Sequence, residues 1–298
     1  MSLSYAEGDT TTVDGIHIIE SGLKGTIDVH QKDIVIATLG SMTADSSTGT
    51  NTSAPAPAEP PLSAPDGAWA FWARISKDNS RFGNPSHFYT RIADSNWESF
   101  TITLSSQEFI NHLTEWSHNT PGTGALITFR DSAWLMSIVV PHQPYFATQP
   151  KDVQILWGYG LRTQREGNFV KKPMYACTGE EVMTELLGHL NFPLQPILEH
   201  STTIPCMMPY ITSQFLTREY KDRPKVLPKH TKNLAFVGQF VEIPEDVVFT
   251  VEYSVRGAQM AVFELMGLNK KPKSIYKGEY DVEVLTAAMK TLLFSADS

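Results

Sequence analysis

Several short segments of this chain carry residue types and spacings that could do chemistry. The run NLAFVGQFVEIPEDVVFTVEYSVRGAQMAVFELM at residues 233–266 reads as a buried strand over 234–237, a terminal glycine, a proline-bearing loop over 243–247 and a long helix. A glycine at a strand end lets backbone approach a ligand. The helix that follows offers unpaired N–H groups suited to a flavin or its phosphates. Gly238 and Gln239 at the strand end, with Phe249 and Thr250 at the helix start, are therefore candidate cofactor contacts. The same pattern also suits a βα turn that binds nothing. Positive charge is nearly absent before Arg256, which favours a flavin-ring or ribityl contact over a pyrophosphate cradle. A second strand, DIVIAT at 33–38, runs into Gly40, Ser41, Met42 and Thr43, a small-residue loop placed where ligands sit in open α/β sheets. No G-x-G-x-x-G occurs, so the pattern holds the closing half of a dinucleotide site without the opening half.

Two further runs could hold substrate. WLMSIVVPHQPYF at 134–146 is a strand followed by a turn that presents His142 and Gln143, good donors to a carboxylate. A surface turn would read the same way. In TTIPCMMPYIT at 202–212, two prolines bracket Cys206, Met207 and Met208. Methionine fills irregular apolar space and tolerates a flexible acyl chain, although a core segment would also use it. Cys206 fails as a nucleophile, because no helix start or basic cluster beside it activates the thiol. The nine histidines and two cysteines show no H-E-x-x-H or C-x-x-C spacing, so no metal site is expected. Lys171-Lys172 and the G-T-G at 122–124 read as turns.

These segments need elements to position them. Short β-like runs at 15–20 and 25–29 precede the 33–38 strand, whose continuous apolar character suggests burial on both faces. Residues 46–67, rich in Ser, Thr, Pro and Ala, read as a mobile surface loop. A helix at 67–77 carries Trp69, Phe71 and Trp72. Another is expected over 105–117, with a Ser105/Glu108 capping box and Phe109, Leu113 and Trp116 on one face. Strands at 125–129, 134–140 and 153–159 suggest an antiparallel portion. A helix at 178–190 opens with a Thr178/Glu181 capping box, and one at 281–293 carries a Val282, Leu285, Met289, Leu292 stripe. The order predicts an α/β chain: a partial dinucleotide-binding domain with its loop over 1–66, a mixed β-rich substrate domain over 67–225, and the closing strand and helices over 226–298.

Composition narrows the class. A hydrophobic share of 41% and a charged share of 19% suit a globular protein with a sizeable core. A net charge of −8 argues against nucleic acid as the main partner. Two cysteines make no disulfide framework, so a reducing, cytoplasmic setting is expected. The N-terminus does not read as a signal peptide, and no apolar run reaches roughly 18 residues.

The run CMMPYITSQFLTREYKDRPKV at 206–226, followed by NLAFVGQFVEIPEDVVFTVEYSVR, resembles the oleate hydratase family, also called myosin-cross-reactive antigens. TLGSMTADSS, GAWAFW, WESFT, PGTGALITF, DSAWLMS, PHQPYF, WGYGL, GNFVKKPM and CTGEE extend the likeness from about Ile34 to Leu293. The resemblance implies FAD-dependent addition of water to a cis double bond of an unsaturated long-chain fatty acid, typically oleate to 10-hydroxystearate. It implies a glutathione-reductase-like Rossmann domain for FAD, interrupted by a substrate domain. It also implies a homodimer, with peripheral membrane contact in the full-length protein. Gly40, Ser41, Met42, Thr43, Gly238, Gln239, Phe249 and Thr250 match the flavin-facing segments. Thr203, Pro205, Met207, Met208 and Tyr210 match the segment near the acyl channel. His142 and Gln143 match the substrate-domain turn, where some members place a different polar pair. The family's fingerprint and its acid lie in an N-terminal half with no counterpart here. His142, Glu242 and Tyr210 are conceivable acids with simpler structural roles, so no catalytic residue is assigned. The expectation is the C-terminal half of a hydratase, inactive alone. The alternative is a non-catalytic lipid- or flavin-binding module or partner subunit.

Overall fold

The computed structural model describes residues 2–6, 10–59, 67–77, 79–124, 126–248 and 251–294. The protein is mixed α/β with several sheets, and it divides into two compact units: residues 40–222, and residues 2–39 with 223–298.

The chain starts in the second of these units. β1 (Ser2–Ala6), β2 (Thr12–Glu20) and β3 (Leu23–Asp28) form an antiparallel meander, with Ser21 and Gly22 at positive φ turning the second hairpin. β4 (Val35–Thr38) follows. Burial along β4 alternates, and Ile36 is 47% exposed, so the expected burial on both faces does not occur. The reason is topological: β4 has a single parallel neighbour, reached only after the whole 40–222 unit has intervened.

That unit is built on a six-stranded antiparallel sheet. Its strands are β5 (Ser47–Thr48), β6 (Trp97–Leu104), β7 (Ile127–Thr128), β8 (Met136–Val139), β9 (Gln154–Gly160) and β10 (Ser201–Met208), in the spatial order β5-β10-β6-β9-β8-β7. The helices are α1 (Ala68–Ser76), α2 (Ser86–Tyr89), α3 (Ile92–Ser95), α4 (Glu108–Ser117), α5 (Gly179–Leu190) and α6 (Leu194–Leu198). Phe100, Ile102 and Leu104 on β6 pack with Val182, Leu186 and Leu190 of α5 and with Phe109 and Leu113 of α4 to form the core. Trp69 and Trp72 of α1 stack at 5.9 Å in a separate buried aromatic group that includes Phe88 and Tyr210.

Three expectations change here. Residues 46–59 are not a mobile loop. They add strand β5 to the sheet, and the Thr50 and Asn51 carbonyls accept the first N–H groups of α5, from Gly179 at 3.0 Å and Glu180 at 2.9 Å. α4 begins at Glu108 without the Ser105 capping box, because the Ser105 N–H is drawn to the His200 carbonyl at 2.8 Å. Trp116, expected on the buried face of α4, is 53% exposed. The Thr178/Glu181 capping box of α5 forms as its spacing predicts. Gly179, immediately after that cap, cannot carry a side chain: a Cβ there would lie 1.8 Å from the Thr203 carbonyl of β10.

In the other unit, β11 (Leu234–Val237) pairs in parallel with β4, and α7 (Val251–Leu265) covers β11 with Tyr253, Gly257 and Ala261. The Tyr253 hydroxyl donates to the Val241 carbonyl at 2.6 Å and accepts from the Ile243 N–H at 3.1 Å, which pins the proline-bearing loop. Asn233 bonds both backbone groups of Val13, at 2.8 and 2.9 Å, and so joins the meander to the start of β11. α8 (Val282–Phe294) differs from expectation: Val282, Leu285, Met289 and Leu292 are all exposed. No helix among the described residues is long and apolar enough to cross a membrane.

Candidate functional site

A β-strand sends alternate side chains to opposite faces. In the six-stranded sheet, Glu98, Phe100, Ile102 and Leu104 face the helices, while Trp97, Ser99, Thr101 and Thr103 face the other way. Cross-strand register carries the second face outward: Trp97 lies opposite Met208, Ser99 lies between Cys206 and Tyr159, and Thr101 lies between Ile204 and Trp157. Ser99, Thr101 and Thr103 on this face are polar, but Trp97, Trp157, Tyr159 and Met208 beside them are aromatic or apolar. Trp97 stacks on Tyr159 with centroids 4.4 Å apart and planes within 17°, and Trp157 continues the row at 6.2 Å from Tyr159. Met208 borders it and accepts from Ser99 Oγ at 3.5 Å. Trp157 is 38% exposed. The Trp97 indole N–H is buried without a hydrogen-bond partner. A buried donor left unmatched costs roughly 1–3 kcal/mol. The face is thus suited to an alkyl chain along the rings.

The structure distributes the residues expected at a substrate site. Met208 joins the outer face. Thr203, Pro205 and Met207 are on the opposite parity of β10 and are buried against the core side. Thr203 donates its N–H to Asn51 Oδ1 at 2.9 Å, and its hydroxyl is buried without a partner. Tyr210 is buried against Trp69, its hydroxyl 3.4 Å from Asp45, and burial followed by the Asp45 charge pushes its pKa up to about 12. His142 is exposed at the turn. Gln143 is committed within the loop: its amide donates to the carbonyls of Pro141 at 3.0 Å and Ile155 at 2.7 Å, and its oxygen accepts from Gln149 at 2.8 Å. That geometry makes Gln143 a loop clasp rather than a free donor.

The residues expected at a cofactor fall in both units. Gly40 adopts φ 64°, and the Ser41 carbonyl accepts from the Trp69 indole at 2.8 Å, with Met42 and Thr43 following. Gly238 adopts φ 96° at the end of β11, and a Cβ there would come within 3.2 Å of Thr38, the last residue of β4. Beside it, Gln239 Oε1 is buried with no hydrogen-bond partner. Phe249 and Thr250 lie outside the described residues. The glycine and the orphaned acceptor fit a cofactor that brings a donor to the strand end. No group of three or more metal-ligating side chains occurs among the described residues.

The sequence reading missed two residues of consequence. Trp97 and Glu98 sit in WESFTITL, whose strict alternation marks a strand and puts Glu98 in phase with Phe100, Ile102 and Leu104. Glu98 is 0% exposed, neither carboxyl oxygen has a partner, and burial pushes its pKa up to about 9. It faces the core rather than the aromatic face. Cys177, also buried, has its thiol pushed up to about 12 by burial and then by the nearby carboxylates of Glu181 and Glu98.

Residues 1–263 match the model of the MCRA family. The chain is similar to an oleate hydratase of Streptococcus pyogenes serotype M49 (strain NZ131), with 36% identity over 285 residues, 92% of this chain and 48% of the relative. It is also similar to a linoleate hydratase of Lactiplantibacillus plantarum, with 33% identity over 306 residues, 90% of this chain and 52% of the relative. The chain therefore spans about half the length of these curated relatives.

Proposed function

Because the chain belongs to the MCRA family, we propose that it forms the substrate-holding part of an FAD-dependent fatty-acid double-bond hydratase. The observation that carries this reading is the aromatic outer face of the sheet. Trp97, Tyr159, Trp157 and Met208 offer a flat apolar bed for an alkyl chain. The names of the relatives, oleate and linoleate hydratase, supply the ligand class. An unsaturated chain lying along stacked rings gains dispersion contacts and sheds ordered water, and sheet rigidity fixes where its double bond rests.

Adding water to an isolated alkene needs an acid able to protonate carbon and a positioned water. Bound FAD would supply an electron-rich face to developing positive charge. Gly238 and Gln239 are the residues proposed to hold it, the first by leaving room for close approach and the second by accepting a hydrogen bond. The acid is proposed to lie outside this chain. Tyr210 is held protonated beside Asp45, Glu242 is buried in the other unit, and His142 stands at a solvent-exposed turn. The Rossmann assignment for the β4–β11 pair and α7 is part of the same proposal.

All six tryptophans, among them Trp97 and Trp157, lie in the 40–222 unit. Titrating the chain with a dibrominated stearate should therefore quench tryptophan fluorescence. Trp157→Asp should weaken oleate binding at least tenfold with an unchanged melting temperature, since the side chain is partly exposed. Unchanged affinity in that variant would remove the aromatic face from the site. Mass spectrometry of chain, FAD and oleate should show no 10-hydroxystearate; clear turnover would place the acid within these residues.

A further inference from the structure

β4 has one closed edge and one open edge. The Val35 N–H donates to the Asn233 carbonyl at 2.7 Å, and Val35–Thr38 run in parallel register with Leu234–Val237 of β11. Successive residues of a strand direct their N–H and C=O groups to opposite edges. Val35 and Ala37 thus bond to β11, while Ile36 and Thr38 aim their backbone groups the other way. Among the described residues no strand lies on that side. The far edge of β11 is closed by contrast, since the Phe236 N–H donates to the Val226 carbonyl at 2.8 Å.

The residues of β4 fit a strand with neighbours on both sides. Ile34, Val35, Ile36 and Ala37 are apolar without a break, the pattern of a parallel strand inside a sheet. Val35 and Ala37 are buried, yet Ile34 and Ile36, on the other face, are exposed. A free edge is ordinarily guarded by lysine, proline or a bulge. Residues 34–38 contain no lysine and no proline, and the β4–β11 register has no shift. The meander of the same unit carries a second uncovered surface: Ile16, Ile18, Leu23 and Ile27 share a face by register, and Leu23 and Ile27 are exposed.

We infer that the open edge of β4 is a docking surface for a further parallel strand, supplied by the half of the hydratase relatives that this chain does not match. The alignments take in 92% and 90% of this chain but 48% and 52% of the relatives, so each relative carries about as much polypeptide again outside the match. Strand addition satisfies the outward N–H and C=O groups and buries Ile34 and Ile36 in one step. An alkyl chain would cover the isoleucines but leave the backbone groups of Ile36 without partners. A second copy meeting this edge across a twofold axis would pair antiparallel, against the parallel set of β4 and β11. The pairing is the same whether the strand belongs to another molecule or to the same polypeptide. Docking at β4 depends on membership of the family alone, and on neither the aromatic face nor FAD.

Co-expression of the whole chain with a tagged polypeptide comprising the unmatched half of the Streptococcus pyogenes relative tests this, because the two then fold together. A one-to-one complex is expected by native mass spectrometry. Hydrogen exchange resolved to single amides should show Ile36 and Thr38 newly protected in the complex, with Val35 and Ala37 little changed because β11 already holds them. Ile36→Pro removes the outward N–H and leaves the β11 ladder intact, as proline does on edge strands. It should cut the recovered complex at least tenfold. Ile36→Lys should do the same with an unchanged melting temperature, since the side chain is exposed, and so decides the matter if the proline variant fails to fold. Ile36→Val should bind as the parent does. Absence of a complex, a complex that both Ile36→Pro and Ile36→Lys leave intact, or protection confined to 23–28 or to α8 overturns the inference. Protection of Ile36 in a dimer of the chain alone overturns it in favour of a second copy. A complex with Ile36 protected that makes no 10-hydroxystearate from oleate and FAD would count against the hydratase reading and leave the docking surface standing.

Discussion

Glu98→Gln should abolish most of the protein's loss of stability between pH 5 and pH 8. Glu98 is fully buried on the core side of β6, and neither oxygen has a partner, so the folded protein holds it protonated with a pKa near 9 against an ordinary 4.5. Above pH 4.5 the unfolded chain releases this proton and the folded chain keeps it. Unfolding then releases a proton, and stability falls as pH rises. The stability tied to this group is fully present below about pH 4.5 and declines until the folded carboxyl itself ionises near pH 9. Within that window the slope is about 1.4 kcal/mol per pH unit, or about 3–4 kcal/mol over three units. Glutamine keeps the shape and cannot ionise, so its denaturation midpoint should stay nearly flat with pH. Glu98→Met should go further and raise stability at pH 8, because an apolar side chain removes an unmatched buried polar group. Urea melts at half-unit pH intervals decide the matter. An equally steep decline in Glu98→Gln would mean that another group titrates.

Glu185→Ala should be among the most destabilising single changes in the 40–222 unit, costing about 3–5 kcal/mol. Glu185 is buried on α5, where its carboxylate accepts the N–H groups of Asn168, Phe169 and Val170 at 2.6, 2.9 and 2.8 Å. His189 Nε2 stands one helical turn away, 3.2 Å from Oε1, within ion-pair distance but off-line for a hydrogen bond. Burial by itself raises the carboxyl pKa. The His189 contact and the three backbone donors outweigh it, and the net shift is downward. The sign is opposite to that of Glu98: this stability is present above the unfolded pKa and is lost as pH falls through the folded one. Alanine would strand three backbone donors at once. The measurement is the denaturant midpoint at pH 7, with proteolysis of the 166–172 segment as a second readout. A loss below about 1 kcal/mol would show that water replaces the carboxylate at little cost.

These two glutamates also show where sequence reading ends. The Thr178/Glu181 capping box was legible because both bonds are local, three residues apart on one helix. The antiparallel order of β7, β8 and β9 was legible for the same reason, since neighbours in sequence became neighbours in space. Ser105/Glu108 has the same spacing and failed, because the His200 carbonyl, 95 residues away, claimed the serine N–H. At the candidate site, residue type alone treats Met207 and Met208 alike, but Met207 faces the core and Met208 the other face, and only strand parity separates them. Trp97, Tyr159 and Trp157 come from two strands, and their stacking depends on a register that composition does not encode. Gln143 looked like a ligand donor because nothing local revealed that Ile155 and Gln149 would occupy its amide. The exposed stripe of α8 and the half-exposed β4 follow from what lies next to them, which periodicity cannot specify.

The segment 46–59 would be discarded by any composition filter as linker. Yet Gly49 bonds to the Pro205 carbonyl, Thr50 and Asn51 receive the first N–H groups of α5, and the Asn51 side chain takes the Thr203 N–H at 2.9 Å. It acts as a suture, stitching the start of α5 to β10, the strand on which the helix rests. Anyone trimming the protein at residue 66, where its composition invites a cut, would unpick that seam. The damage would appear far downstream, as a frayed α5 and an exposed β10 edge open to pairing with other chains.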